Sequence, residues 1–202
     1  MQTEVPPVSI FCGYAHEDKA LFNLLNKHLA ALRSQENITL WHDGEIPPGA
    51  EWEPAIAHHL DHADIILLLI SPSFMHSEYC RGKEMRRAIE WHKTGEVQVI
   101  PIIMRPTSAW KTTDLGSLQA LPTHAKPVTT WRIRDEAFAD IAEGITKVIQ
   151  QVQQEEKYPV QEYGLAFDYY TCIDVEPHED TTDLERAMHQ KAEQWLVLPL
   201  IL

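Results

Sequence analysis

The chain has 202 residues, 44% of them hydrophobic and 23% charged, which suits one packed domain with an extension and is too short for two full domains. Its net charge of −13 comes with no cluster of Lys and Arg, so a phosphate-backbone partner is disfavoured and no nucleic acid is expected. From Glu155 onward lie eleven of the thirty acids and three of the seventeen Lys and Arg residues, so residues 1–154 carry only −5.

After a short tail, residues 1–7, Val8 to Cys12 is an apolar run that predicts a strand. A polar break at Gly13 to Asp18 follows, and then Leu21, Leu24, Leu25, Leu29 and Leu32 at helical spacing. Ile38 to Trp41 reads as a second strand. The run Asp43, Gly44, Pro47, Pro48, Gly49 predicts a long loop, with a helix from near Trp52 to Asp64. Ile65 to Ile70 is unbroken aliphatic sequence, as a central strand covered on both faces requires. Ser71 to Ser77 reads as a loop, with Ser77 placed to cap a helix running to about His92. Val97 to Met104 predicts a further buried strand, and Lys126 to Trp131 a weaker one. Phe138, Ile141, Ala142, Ile145, Val148, Ile149 and Val152, following Asp135, predict a closing amphipathic helix.

Such alternation predicts a parallel sheet with helices on both faces and ligands at the strand C-terminal ends. The domain is expected over residues 8–154. An acidic extension, residues 155–202, holds a possible helix from Thr182 to Trp195 and the aromatic group Tyr163, Phe167, Tyr169 and Tyr170. Cys12, Cys80 and Cys172 lack a paired spacing, which points to a reducing, cytoplasmic setting rather than a disulfide framework. No apolar run approaches the ~20 residues of a bilayer span, so no membrane partner is expected.

Four stretches, in order and at matching spacing, resemble bacterial TIR domains. These are Val8-Ser9-Ile10-Phe11-Cys12-Gly13-Tyr14-Ala15-His16-Glu17-Asp18; Trp41-His42-Asp43 through Ile46-Pro47-Pro48-Gly49 to Trp52; Ser71-Pro72-Ser73-Phe74 with Ser77-Glu78-Tyr79-Cys80 and Glu84-Met85; and Val99-Ile100-Pro101-Ile102-Ile103 with Leu121-Pro122 and Lys126-Pro127-Val128. The resemblance covers roughly Val8 to Val152 and implies a flavodoxin-like α/β fold. It departs from the pattern at Gly13, where a serine is more frequent, and at Arg81-Gly82-Lys83, where many members have two residues between the aromatic-Cys pair and the glutamate.

The NAD-cleaving branch of that family implies an NAD+ glycohydrolase or ADP-ribosyl cyclase in antiviral immunity, with NAD+ as substrate and no cofactor or metal. Glu84 maps onto the catalytic glutamate, and Tyr14, His16, Asp43, Trp52 and Cys80 onto substrate-contacting positions. Breaking the nicotinamide–ribose bond builds positive charge on the anomeric carbon as a neutral group leaves, so one fixed carboxylate suffices. The family also implies self-association through the loop 43–51, completing the pocket from a neighbouring subunit. The alternative is a non-enzymatic adaptor or scaffold using the same loop. A receiver-like phospho-acceptor domain is a poorer fit: Glu17 and Asp18 lie several residues past the first strand, and no aspartate closes the central one.

Each position also has a plainer reading. Glu84 lies on a charge-rich helix with Arg81, Lys83, Arg86 and Arg87 and could be merely solvated. Trp52 extends an apolar stripe with Ile56, Leu60 and Ala63, which favours core packing. Tyr14 and His16 could be ordinary loop residues, Asp43 a turn former and Cys80 a small core residue. His58 and His62, four apart, have a metal-capable spacing with no third ligand. The single Gly13 after the first strand is no dinucleotide-binding fingerprint.

Overall fold

The computed structural model describes residues 7–35, 38–77 and 82–157, excepting the side chains of residues 31, 34–35, 83–84 and 155–157. The structure divides into two units, Met1–Pro159 and Val160–Leu202, and every described residue lies in the first. The expected helix from Thr182 and the aromatic group from Tyr163 fall outside the described residues.

Four strands, β1 (Val8–Gly13), β2 (Ile38–Trp41), β3 (Ile65–Ile70) and β4 (Gln98–Ile103), form a parallel sheet in the order β2-β1-β3-β4. The aliphatic run Ile65–Ile70 is wholly buried and pairs with both β1 and β4, the inner place that its two-sided hydrophobicity requires. Alternating residues face opposite layers. Ile65, Leu67 and Leu69 pack with α1 (Lys19–Gln35) and the closing helix, whereas Ile66, Leu68 and Ile70 pack with α2 (Trp52–Asp61), α3 (Pro72–His76) and α4 (Lys83–Thr94). The closing helix, α5 (Arg134–Lys157), buries Phe138, Ile141, Ile145 and Ile149 at helical spacing. This is the expected arrangement of a parallel sheet with helices on both faces.

Two local expectations are corrected, at Ser71–Ser77 and at Lys126–Trp131. The segment Ser71–Ser77 contains the single-turn helix α3, because the Ser71 hydroxyl accepts from the Phe74 amide at 3.1 Å and Pro72 occupies the first turn. Ser77 closes α3, its hydroxyl donating to the Phe74 carbonyl at 2.7 Å. The helix containing Glu84 is described from Lys83, with Gly82 before it.

The predicted strand Lys126–Trp131 is instead a 3-10 turn, Val128–Thr130. Leu121 takes the place beside β4 as a one-residue bridge to Ile102: Ile103 N–H donates to Leu121 C=O at 2.7 Å and Leu121 N–H to Pro101 C=O at 2.9 Å. Pro122 cannot extend this ladder and Pro127 interrupts the next stretch, so the chain leaves the sheet edge in turns. Gly144 of α5 makes room for this path: a Cβ there would fall 2.7 Å from a Leu121 methyl.

Candidate functional site

The side chains that close the C-terminal edge of β1 and β3 form a cleft of about 640 Å³. Its floor is apolar, from Phe11, Ile56 and Phe74, and its rim is polar or aromatic, from Tyr14, His16, Asp43 and Trp52 among others. Parallel strands carry loops out at this edge, so the β1–α1 loop supplies Tyr14 and His16, the β2–α2 loop supplies Asp43, and α2 begins at Trp52.

Four of the six positions singled out by resemblance therefore come together in one cleft. Trp52 is 50% exposed, so the core-packing reading of its stripe fails at this residue, although Ile56, Leu60 and Ala63 are buried as that stripe requires. The reason is its position at the first residue of α2, where the helix emerges over the sheet edge rather than along its face. Cys80 lies outside the described residues, as does the side chain of Glu84. The backbone of Glu84 is the second residue of α4. That helix lies in the connection between β3 and β4, after α3.

Asp43 is the electrostatic centre. Its side chain is 17% exposed, with His16 Nε2 3.8 Å from Oδ2 and His42 Nδ1 3.9 Å from Oδ1. Oδ1 is buried and has no hydrogen-bond partner among the described residues. Tyr14 stacks on Phe22 with 4.4 Å between ring centroids. Burial pushes its phenol pKa up, with the Asp43 charge and a hydrogen bond to Asp43 adding to the rise, so it stays protonated at neutral pH. Cys12, in the cleft wall, is buried and its thiol is also pushed up by burial and by Asp43, which makes it a poor nucleophile.

Sequence reading missed two contributions. Ser73 and His76 reach the cleft from α3, a helix too short to show periodicity. Asp18, 1% exposed, accepts a 2.6 Å bond from Arg105 Nε and ties the β1–α1 loop to the segment after β4. The two are 87 positions apart, with no local signal. His58 lies on α2 and His62 caps its C-terminal end, with ring centroids 4.5 Å apart and His62 Nδ1 2.7 Å from the His58 carbonyl. Among the described residues no third acid, Cys or His joins them as a metal-holding group, and no helix is long and apolar enough to cross a membrane.

The chain is 40% identical over 151 residues to the uncharacterized protein y4lF of Sinorhizobium fredii, a match that takes in 75% of this chain and 46% of that protein. The chain thus spans about half the length of that relative. Among solved structures it is similar to the TIR domain of the Toll-related receptor TRR-2 from Hydra magnipapillata, at TM-score 0.46 and 15% identity over 70% of this chain and 97% of that one. It is also similar to the TIR domains of the activated Roq1 resistosome, at TM-score 0.39 and 14% identity over 82% of this chain and 99% of that one. The sequence model of the TIR domain family matches residues 10–141, from Ile10 in β1 through the whole of β2, β3 and β4, and the chain belongs to that family.

Proposed function

We propose that this TIR domain is an NAD+ nucleosidase that breaks the nicotinamide–ribose bond, with Glu84 as the catalytic carboxylate. The observation that carries the reading is the gathering of Tyr14, His16, Asp43 and Trp52 around one cleft at the strand ends. A cleft of about 640 Å³ lies in the range of about 300–1,000 Å³ that small-molecule sites occupy.

Each group has a defined task. The exposed Trp52 ring offers an aromatic face for a base. Asp43 accepts from ribose hydroxyls, and Tyr14, kept protonated, supplies a donor beside it. The Glu84 carboxylate stabilises the cation that develops as the C–N bond breaks and neutral nicotinamide takes the bonding electron pair. Water then attacks the anomeric carbon and loses a proton to give ADP-ribose, or a nucleophilic group of the same substrate closes a cyclic isomer. The apolar floor favours the cyclic outcome to the extent that it excludes water. The loop 43–51, exposed from Pro47 to Glu51, is the proposed self-association surface, and antiviral immunity the proposed setting.

Incubating the protein with NAD+ and identifying products by mass tests the reading directly. Nicotinamide release by the wild type, lost in Glu84→Gln, is the expected result. Absence of release at protein concentrations that give oligomers would overturn it in favour of a scaffold.

A further inference from the structure

His42 does not line the cleft, yet it sits directly behind the carboxylate that does. Its side chain is 16% exposed, wedged against Phe22 with 4.6 Å between ring centroids and edge-on to Tyr14 at 6.0 Å. Its Nδ1 accepts from the Gly44 amide at 3.0 Å and so caps the 3-10 turn Asp43–Glu45. A Cβ at position 44 would fall 2.7 Å from His42 Cε1, so a larger residue there displaces the ring. An Nδ1 that accepts carries no proton, so the neutral ring holds its proton on Nε2, which faces Glu45 Oε1 at 3.7 Å.

The same Nδ1 has a second acceptor within reach. Asp43 Oδ1 is 3.9 Å away, buried and without a hydrogen-bond partner among the described residues. A proton on Nδ1 abolishes the bond from Gly44 and creates a donor, which an approach of about 1 Å brings to hydrogen-bond distance of Oδ1.

We propose that His42 is a proton-controlled positioning residue for Asp43: unprotonated, it anchors Gly44 and leaves the carboxylate to the cleft, and protonated it releases Gly44 and engages Oδ1. Acidification thereby neutralises the carboxylate toward substrate and frees the turn that leads into the loop 43–51. The consequence for turnover rests on the NAD+-cleaving reading above, but the exchange of partners does not.

The surroundings set the direction. Burial is the largest influence and holds His42 below its ordinary value of 6.5. Glu45 and Asp43 on its own loop act upward, while Arg33 and Lys19 on α1 act downward. From β1 and its loop come Tyr14, protonated, and His16, which faces the other oxygen of Asp43. Below 6.5 the unfolded chain takes the proton before the folded one, so this group makes the fold lose stability as pH falls there.

The experiment is a pH titration of the full chain followed by the ring nitrogens of His42 and the Gly44 amide in NMR. In parallel, the nicotinamide-release rate is compared at about pH 7.5 and about pH 5.5 for wild type and His42→Asn. Asn supplies an acceptor two residues before Gly44 and cannot titrate. The expected result is an unprotonated Nδ1 at neutral pH and a Gly44 amide that loses protection together with His42 protonation. The His42-dependent rate should fall about tenfold per pH unit once the ring is mostly protonated, with a clearly smaller ratio of the two rates in His42→Asn. A Gly44 amide that stays protected through the His42 titration would overturn the proposal, as would equal rate ratios in the two proteins. If neither protein cleaves NAD+ while Gly44 follows His42, the switch stands and the enzymatic reading falls. If His42→Asn does not fold, the Gly44 titration in the wild type decides.

Discussion

The two faces of the sheet are built from alternate residues of the same strands and end differently. On one face, Ile65, Leu67 and Leu69 are sealed by α1 and α5, which bring in Phe22, Leu25, Leu29, Phe138, Ile141 and Ile145, all at most 1% exposed. On the other face, Ile66, Leu68 and Ile70 meet shorter helices, α2, α3 and α4. There Phe11, Ile56 and Phe74 are core residues and cleft floor at once. The cleft opens where core residues of this second face reach the strand ends, so changes on the sealed face should read out in stability and changes at the open end in turnover.

The largest expected effect lies at the open end. Glu84→Gln keeps size and hydrogen-bonding shape but removes the charge, and should lower NAD+ cleavage by about a hundredfold or more. Circular dichroism and thermal melting should be unchanged, since the helix keeps a residue of similar propensity. A turnover rate equal to wild type would remove Glu84 from the mechanism.

On the sealed face, Phe138→Ala deletes a fully buried ring between α5, α1 and the sheet and should cost about 3–5 kcal/mol in denaturant unfolding. Activity per folded molecule should persist at low denaturant. If that variant were stable but inactive, the separation between the two faces would fail.

Arg105→Ala tests the strut between them. It strands the Asp18 carboxylate, 1% exposed with one oxygen already lacking a hydrogen-bond partner among the described residues. Because the arginine itself is 44% exposed, the expected cost is about 3 kcal/mol, the lower end for breaking a buried pair. The β1–α1 loop carries Tyr14 and His16, so KM for NAD+ should rise as well. A loss of stability with unaltered KM would make the pair purely structural.

Most of the scaffold was legible because burial on both faces writes itself as a continuous aliphatic run in Ile65–Ile70 and a one-sided stripe writes itself at 3.6 spacing in α5. Features that depend on a few hydrogen bonds were not. α3 rests on the Ser71 cap and a proline, within five residues, and the Leu121 bridge on two backbone bonds. Four cleft positions were found through the family resemblance, since the segments after β1 and β2 that carry them share no sequence period. The Asp18–Arg105 and His42–Gly44 bonds carry chemistry that only proximity reveals. The second had one local signal, a ring acceptor two residues before a glycine.

Trp52 gives the smallest effect and the sharpest discrimination, because the stripe Trp52, Ile56, Leu60, Ala63 supports either role while the exposures differ. Ile56 and Leu60 are 4% and 1% exposed, whereas the indole is 50% exposed on the cleft rim. Truncating a half-exposed ring removes little buried area, so Trp52→Ala should alter stability by no more than about 0.5 kcal/mol. For a domain of this size that is a melting shift of roughly 1–2 °C. Stacking on a base is worth about 0.5–1.5 kcal/mol, so kcat/KM should fall about twofold to twelvefold. If the ring binds substrate and transition state equally, the change appears in KM with kcat preserved. Trp52→Phe, which keeps an aromatic face, should restore most of the loss. A fall in melting temperature of several degrees with kcat/KM unchanged would return Trp52 to the core and leave the cleft without its aromatic wall.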